Sequence, residues 1–166
     1  MSDSQFTRRA LLGTGLAAGI AVLIGRARPG DAAAAGQRFE VTRSADEWRR
    51  MLGAQRYAVL REASTERAGS SPLLREHRKG VFACAGCGLA LYSSDTKFES
   101  GTGWPSFYRA LPNAVATRKD GGFGMARTEV LCRRCGGHLG HVFNDGPKPT
   151  GLRYCMNGLA LTFRAA

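Results

Sequence analysis

Five cysteines and one close pair of histidines carry most of the chemistry open to this chain. Cys84-Ala85-Gly86-Cys87 and Cys132-Arg133-Arg134-Cys135 form two C-x-x-C pairs, and Cys155 stands apart in the run Arg153-Tyr154-Cys155-Met156-Asn157. Four thiolates are a complete ligand set for one tetrahedral ion. The cysteine left over, beside an arginine, is a nucleophile candidate, because a nearby guanidinium favours the reactive thiolate form. Residues two apart on a strand share a face. Arg153, Cys155 and Asn157 are therefore expected to line up, with Tyr154 and Met156 on the other side. Taken alone, such a cysteine also reads as a buried structural thiol.

Each C-x-x-C is followed by a glycine, Gly88 or Gly136, which permits a tight knuckle whose two thiolates converge. The 44 residues between Cys87 and Cys132 exceed a usual zinc-ribbon gap, so the ion would join two distant hairpins. Zinc suits four thiolates with no redox demand, and iron takes the same ligands. Disulfides are the alternative in an exported chain. A fully cysteine-ligated zinc has no open position and does no catalysis. His138 and His141 would by themselves read as metal ligands. With four thiolates already present they are surplus, and so free for proton transfer near neutral pH. Asp145 reads as a turn residue with Gly146, or as an orienter of a histidine. Trp104, held between Gly103 and Pro105, can wall a small apolar pocket.

These residues need a frame. Ser44-Ala45-Asp46-Glu47 is a capping-box pattern that predicts a short helix carrying Trp48, Met51 and Leu52. Tyr57 to Ala63 predicts a second short helix, with Tyr57 and Leu60 on one face. Ser64 to Pro72 reads as a loop. From Gly80 onward, short apolar runs are cut by glycines: 81–83, 89–92, 124–131, 139–143, 152–156 and 159–163. This pattern predicts a small, mainly β, mostly antiparallel domain with helices at its N-terminal side. So glycine-rich a domain has a modest core that a metal staple would support.

The chain has 166 residues and a formal charge of +11. Arg8-Arg9 precede an apolar run from Ala10 to Ile24, followed by Ala32-Ala33-Ala34-Ala35. This is the pattern of a secretory signal, too short for an ordinary membrane span, and Thr7-Arg8-Arg9-Ala10-Leu11-Leu12 resembles the twin-arginine signal for proteins exported already folded. Residues 1–35 are expected to be cleaved, leaving a periplasmic domain over 36–166; an uncleaved signal would anchor it to the membrane instead. Folding before export would let the metal load first. Loss of residues 1–35 removes four arginines and two aspartates, so the charge falls to +9. The basic residues are scattered from Arg38 to Arg164 without a dense block, which argues against nucleic acid as a partner.

Three segments, Ser100-Gly101-Thr102-Gly103-Trp104-Pro105-Ser106-Phe107, His138-Leu139-Gly140-His141-Val142-Phe143 and Gly151-Leu152-Arg153-Tyr154-Cys155-Met156-Asn157, with the two knuckles, resemble the B-type methionine sulfoxide reductases. The likeness runs from about Tyr57 to Phe163. It implies that family's fold of coiled antiparallel β-sheets, stapled by structural zinc on Cys84, Cys87, Cys132 and Cys135. It also implies Cys155 as the nucleophile on the sulfoxide sulfur, with a sulfenic acid as the product on the enzyme. His138 and His141 would relay protons and bind the oxygen. Arg153 would favour the thiolate, and Asn157 would position the substrate. Trp104 would meet the substrate methyl group, which is how a pocket could prefer the R epimer, and Phe107 joins it as a substrate-binding residue.

Two positions depart from the family pattern. Thr102 stands where many members carry a resolving cysteine, so the expected enzyme is a one-cysteine monomer. It would act on oxidised proteins or peptides, with its sulfenic acid reduced by an external thiol or thiol protein. Gly158 stands where serine is common, a change expected to cost a hydrogen bond near the site. The competing reading is a zinc-stabilised binding domain without catalysis, which has no need of Cys155 together with His138, His141 and Arg153.

Overall fold

The computed structural model describes residues 38–121 and 127–166. The expected export signal lies outside the described residues; among those described, no helix is long and apolar enough to cross a membrane.

The capping box forms as the sequence predicts. Ser44 N–H donates to the Glu47 carboxylate at 2.8 Å, and Glu47 N–H donates back to the Ser44 hydroxyl at 3.3 Å, opening helix α1 at Ala45–Glu62. The two expected helices are one element broken at Gly53 (φ 69°, ψ 170°), a conformation that costs glycine little. Trp48, Tyr57, Val59 and Leu60 are buried, whereas Met51 stays 53% exposed and takes no part in the core.

Among the described residues nine strands follow: β1 Gly80–Cys84, β2 Ala90–Ser93, β3 Lys97–Phe98, β4 Ser106–Phe107, β5 Val115–Asp120, β6 Arg127–Cys132, β7 His138–Phe143, β8 Arg153–Met156 and β9 Leu161–Ala165. They form a three-stranded sheet, β2-β1-β9, and a six-stranded sheet, β3-β4-β8-β7-β6-β5, with antiparallel pairing throughout. The expected run from Gly124 starts as a described strand at Arg127. The run from Leu159 opens instead with a 3₁₀ turn over Gly158–Ala160. β5 has no counterpart in the apolar runs. Val115-Ala116-Thr117-Arg118-Lys119-Asp120 is mostly polar because it lies at the sheet edge, where charge guards against further strand pairing.

The sheets meet through aromatic packing. Tyr92 stacks on Phe107 with centroids 4.4 Å apart, Phe82 meets Phe107 edge-on at 4.9 Å, and the Tyr92 hydroxyl donates to Met156 Sδ at 3.0 Å. Tyr154 and Met156 thus face the core, as their alternation with Cys155 requires. That leaves Arg153 and Cys155 on the opposite face of β8, an inner strand flanked by β4 and β7.

Candidate active site

The two C-x-x-C knuckles are the turns of two hairpins, one in each sheet. Cys84 ends β1 and Cys132 ends β6. The same bonds close both turns: Gly88 N–H donates to Cys84 O and Gly136 N–H to Cys132 O, each at 2.8 Å, with both glycines in the left-handed region. The four sulfurs lie within 4.8 Å of one another, with Cys84 and Cys135 Sγ 3.7 Å apart and Cys87 and Cys132 Sγ 3.5 Å apart. These separations are too long for disulfide bonds, about 2 Å, and match two thiolates on one tetrahedral ion. The cluster is therefore a candidate metal centre that ties the two sheets together. The N-terminal segment wraps it: Arg61 donates to the Cys135 carbonyl at 2.9 Å, and Val41 N–H to the Arg134 carbonyl at 2.9 Å.

Cys155 sits mid-strand in the other region. Register pairs it with Ser106 on β4 and with His141 on β7, and His141 pairs in turn with Glu129 on β6. Directly paired residues share a face, so Glu129, His141, Cys155 and Ser106 form one cross-strand row. His138, three residues from His141, would point away in a regular strand. A bulge prevents this. Leu131 pairs with His138 while Val130 pairs with Gly140, leaving Leu139 extra and turning both imidazoles to one side. Their ring centroids are 5.5 Å apart. The bulge requires Gly140 (φ 153°), since a β-carbon there would fall 2.1 Å from the Cys155 carbonyl oxygen.

Charge converges behind the histidines. Glu129, 4% exposed, bonds His138 Nδ1 at 2.6 Å and is ion-paired with Arg118. Burial raises the Glu129 carboxyl's pKa, but the bonds from His138 and Arg118 outweigh it and hold the group below the usual range. With Glu129 ionised, Nδ1 of His138 carries the proton, and Nε2 is buried with no partner among the described residues. His141 Nε2 meets Asp120 at 2.8 Å. Burial lowers the His141 pKa more than Asp120 raises it, so its neutral form is favoured. Neutral His141 donates Nε2–H to Asp120 and keeps Nδ1 as an acceptor. Such a pair can hold and pass a proton beside a reacting sulfur.

Arg153 forms a two-pronged pair with Asp145, at 2.9 and 2.8 Å, and lies 4.4 Å over the Phe143 ring. Asp145 thus fixes the guanidinium beside Cys155, neither of the roles expected for it. That contact, followed by the Cys155 sulfur, raises the Arg153 pKa. Trp104 is anchored by its Nε1–H to the Glu66 carbonyl at 3.1 Å and remains partly exposed two residues from Thr102, whose hydroxyl lies 3.7 Å from Cys155 Sγ.

Two expected site residues are placed elsewhere. Phe107 is fully buried against Tyr92 and Phe82, so it packs the core, on the opposite face of β4 from Ser106. Asn157 lies past the end of β8 and is 4% exposed. Its Oδ1 accepts from Glu66 N–H at 3.0 Å and its Nδ2 donates to Leu139 O at 3.3 Å, so the amide braces the strand ends around Cys155. Glu66 completes the brace by accepting from Gly158 and Leu159 N–H at 2.5 and 2.9 Å. At Gly158, a β-carbon would fall 1.9 Å from the Ser71 hydroxyl oxygen, which already fills that space.

Sequence reasoning missed Glu66, Asp120 and Glu129. Only Glu129 carried a signal, as a carboxylate inside a strand run whose neighbours Val130 and Leu131 are apolar.

A SelR-domain profile matches residues 52–165. The chain is 52% identical over 127 residues to a protein of Leptospira interrogans named peptide methionine sulfoxide reductase MsrB, covering 76% of this chain and 97% of that one. Proteins of the same name from Methanosarcina barkeri and Bradyrhizobium diazoefficiens are 53% and 55% identical, covering 75% and 74% of this chain and 88% of each relative.

Proposed function

The chain belongs to the SelR-domain family of MsrB peptide methionine sulfoxide reductases, and from that premise we propose that it reduces the R epimer of methionine sulfoxide in oxidised proteins or peptides. The observation that carries this reading is the row Glu129–His141–Cys155–Ser106, which places a partly exposed cysteine on an inner strand with His141 paired to it on one side. The Cys155 thiolate attacks the sulfoxide sulfur while the imidazole pair delivers a proton to the oxygen. The protonated oxygen then passes to the Cys155 sulfur as the sulfur–sulfur bond and the methionine S–O bond break, so methionine leaves and Cys155 keeps the oxygen as a sulfenic acid. One external thiol then forms a mixed disulfide and releases water; a second restores the Cys155 thiol and carries away the disulfide. An external reductant is called for because the other four cysteines are gathered in one cluster and Thr102 occupies the neighbouring position.

Cys84, Cys87, Cys132 and Cys135 would hold zinc. A four-thiolate zinc supplies structure alone, since it has no open position. Residues 1–35 would export the folded, metal-loaded protein by the twin-arginine route to the periplasm. The support is Arg8-Arg9, the short apolar run and the alanines at 33 and 35.

The test is turnover of both sulfoxide epimers in a peptide with dithiothreitol, for wild type and Cys155→Ser. The expected outcome is reduction of the R epimer alone, abolished by the substitution. No turnover by folded, metal-loaded protein would sink the reading. Turnover that survives Cys155→Ser would move the nucleophile to a knuckle cysteine.

A further inference from the structure

Beside Cys155 runs a line of hydroxyls that the reaction as described leaves unused. Thr102 Oγ1 lies 3.7 Å from Cys155 Sγ and 2.9 Å from Ser100 Oγ, which lies 2.7 Å from Ser106 Oγ. Ser106, 1% exposed, donates to the Trp104 carbonyl at 3.2 Å. A hydroxyl has one proton to give, and a carbonyl can only accept. Ser106 spends its proton on Trp104 and so accepts from Ser100. Ser100 spends its own on Ser106 and so accepts from Thr102. With a neutral thiol the order runs one way, from Cys155 S–H through three hydroxyls to the carbonyl. Once the sulfur is charged it can only accept, and the Thr102 proton has a stronger acceptor within reach on its other side.

We propose that Thr102 is a catalytic residue, whose hydroxyl turns from Ser100 to donate a hydrogen bond to the Cys155 thiolate while Ser100 and Ser106 hold it in place. Ser100 and Ser106 are positioning residues. The inference rests on Cys155 as the nucleophile of the proposed reductase. The position that could have held a second sulfur holds a donor to the first one, so Thr102 takes part in the attack where a cysteine there would take part in recycling.

The test uses the full chain and two readouts: iodoacetamide alkylation of Cys155 at one fixed pH, followed by mass spectrometry of its peptide, and turnover of a methionine sulfoxide peptide with dithiothreitol. Thr102→Val keeps the side-chain shape and removes the hydroxyl. Alkylation and kcat are expected to fall roughly ten- to a hundredfold, the worth of a hydrogen bond to a charged group, with KM little changed. Thr102→Ser should restore most of both, and Ser100→Ala should fall between. Thr102→Val that alkylates and turns over like wild type overturns the proposal. Equal losses in the valine and serine variants also overturn it, since packing would then be the cause. Slowed alkylation of Thr102→Val in a protein that reduces no sulfoxide would uphold the hydrogen bond and overturn the reductase reading alone.

Discussion

Two regions of this molecule hold cysteine, and they use it in opposite ways. At the knuckles, thiols sit at the turns of hairpins from two different sheets, and the turns bring four sulfurs together, with pairs 3.5 and 3.7 Å apart. Cys155 sits in the middle of an inner strand, where the pleat fixes its neighbours as whatever the flanking strands carry, here Ser106 and His141. Three of the four knuckle cysteines, Cys84, Cys132 and Cys135, are buried, whereas Cys87 and Cys155 are partly exposed. Place in the topology, more than residue type, separates a four-sulfur cluster from a lone thiol beside a histidine.

The largest effect should come from breaking the first region. Cys132→Ala removes one of four ligands and opens the link between the sheets. Structural metal supplies on the order of 10 kcal/mol in small domains, comparable with the whole stability of a protein this size. The expected result is loss of one bound metal ion per chain by mass spectrometry, together with loss of the cooperative thermal transition. Cys155→Ala, by contrast, should keep its metal and its melting temperature within a few degrees. If Cys132→Ala stays folded and active, the staple is not what separates the two regions.

The next substitution probes the join between them. Glu129 stands three residues before Cys132 on β6 and bonds His138 Nδ1, so the strand that ends in a knuckle also fixes an imidazole at the site. Glu129→Gln keeps the shape and can still bond His138, but it loses the charge that assigns the proton to Nδ1. We expect kcat to fall roughly ten- to a hundredfold, within the range of a misdirected general acid, with metal content intact. Unchanged kcat would leave Glu129 a purely structural partner of Arg118.

Much of this was legible in the sequence, for reasons specific to each residue. The capping box at Ser44, the glycine-closed knuckles and most of the strands are local signals, readable without knowing what lies opposite. The paired histidines were visible as a motif, but their shared face was not, because it depends on a bulge defined by pairing with β6. Phe107 and Asn157 shared their segments with site residues yet went to the core and to a brace, since adjacent strand positions point to opposite faces and β8 ends at Met156. Asp120 lies on a polar edge strand that no apolar pattern could reveal.

A smaller effect tests how closely the brace behind Cys155 is packed. Gly158→Ser would bring a β-carbon within 1.9 Å of Ser71 Oγ and 2.5 Å of its Cβ. Overpacking of this kind costs about 1–3 kcal/mol. The expected result is a lower denaturation midpoint, recovered in part by Ser71→Gly, with metal content unchanged. A neutral Gly158→Ser would mean that the 64–71 loop yields freely and does not hold the back of the site.

The smallest expected effect separates the regions by pH. Burial holds His141 neutral below the range where an ordinary imidazole, near 6.5, takes up a proton. Between that value and its lower folded value the unfolded chain binds more protons, so stability falls as pH falls. Glu129 repeats the pattern at lower pH. Its carboxyl titrates below the ordinary 4.5 in the fold, so its contribution is complete above 4.5 and lost beneath. Denaturation midpoints measured from pH 8 to pH 4 should therefore decline in two stages. His141→Gln should flatten the first stage and spare the second. Acid also weakens thiolate–metal bonds, but that loss belongs to the knuckles and should be common to both proteins. The difference between the two curves then isolates the site, and a difference that is flat across pH 7 to 5 would show that His141 is no more protected from protonation in the fold than outside it.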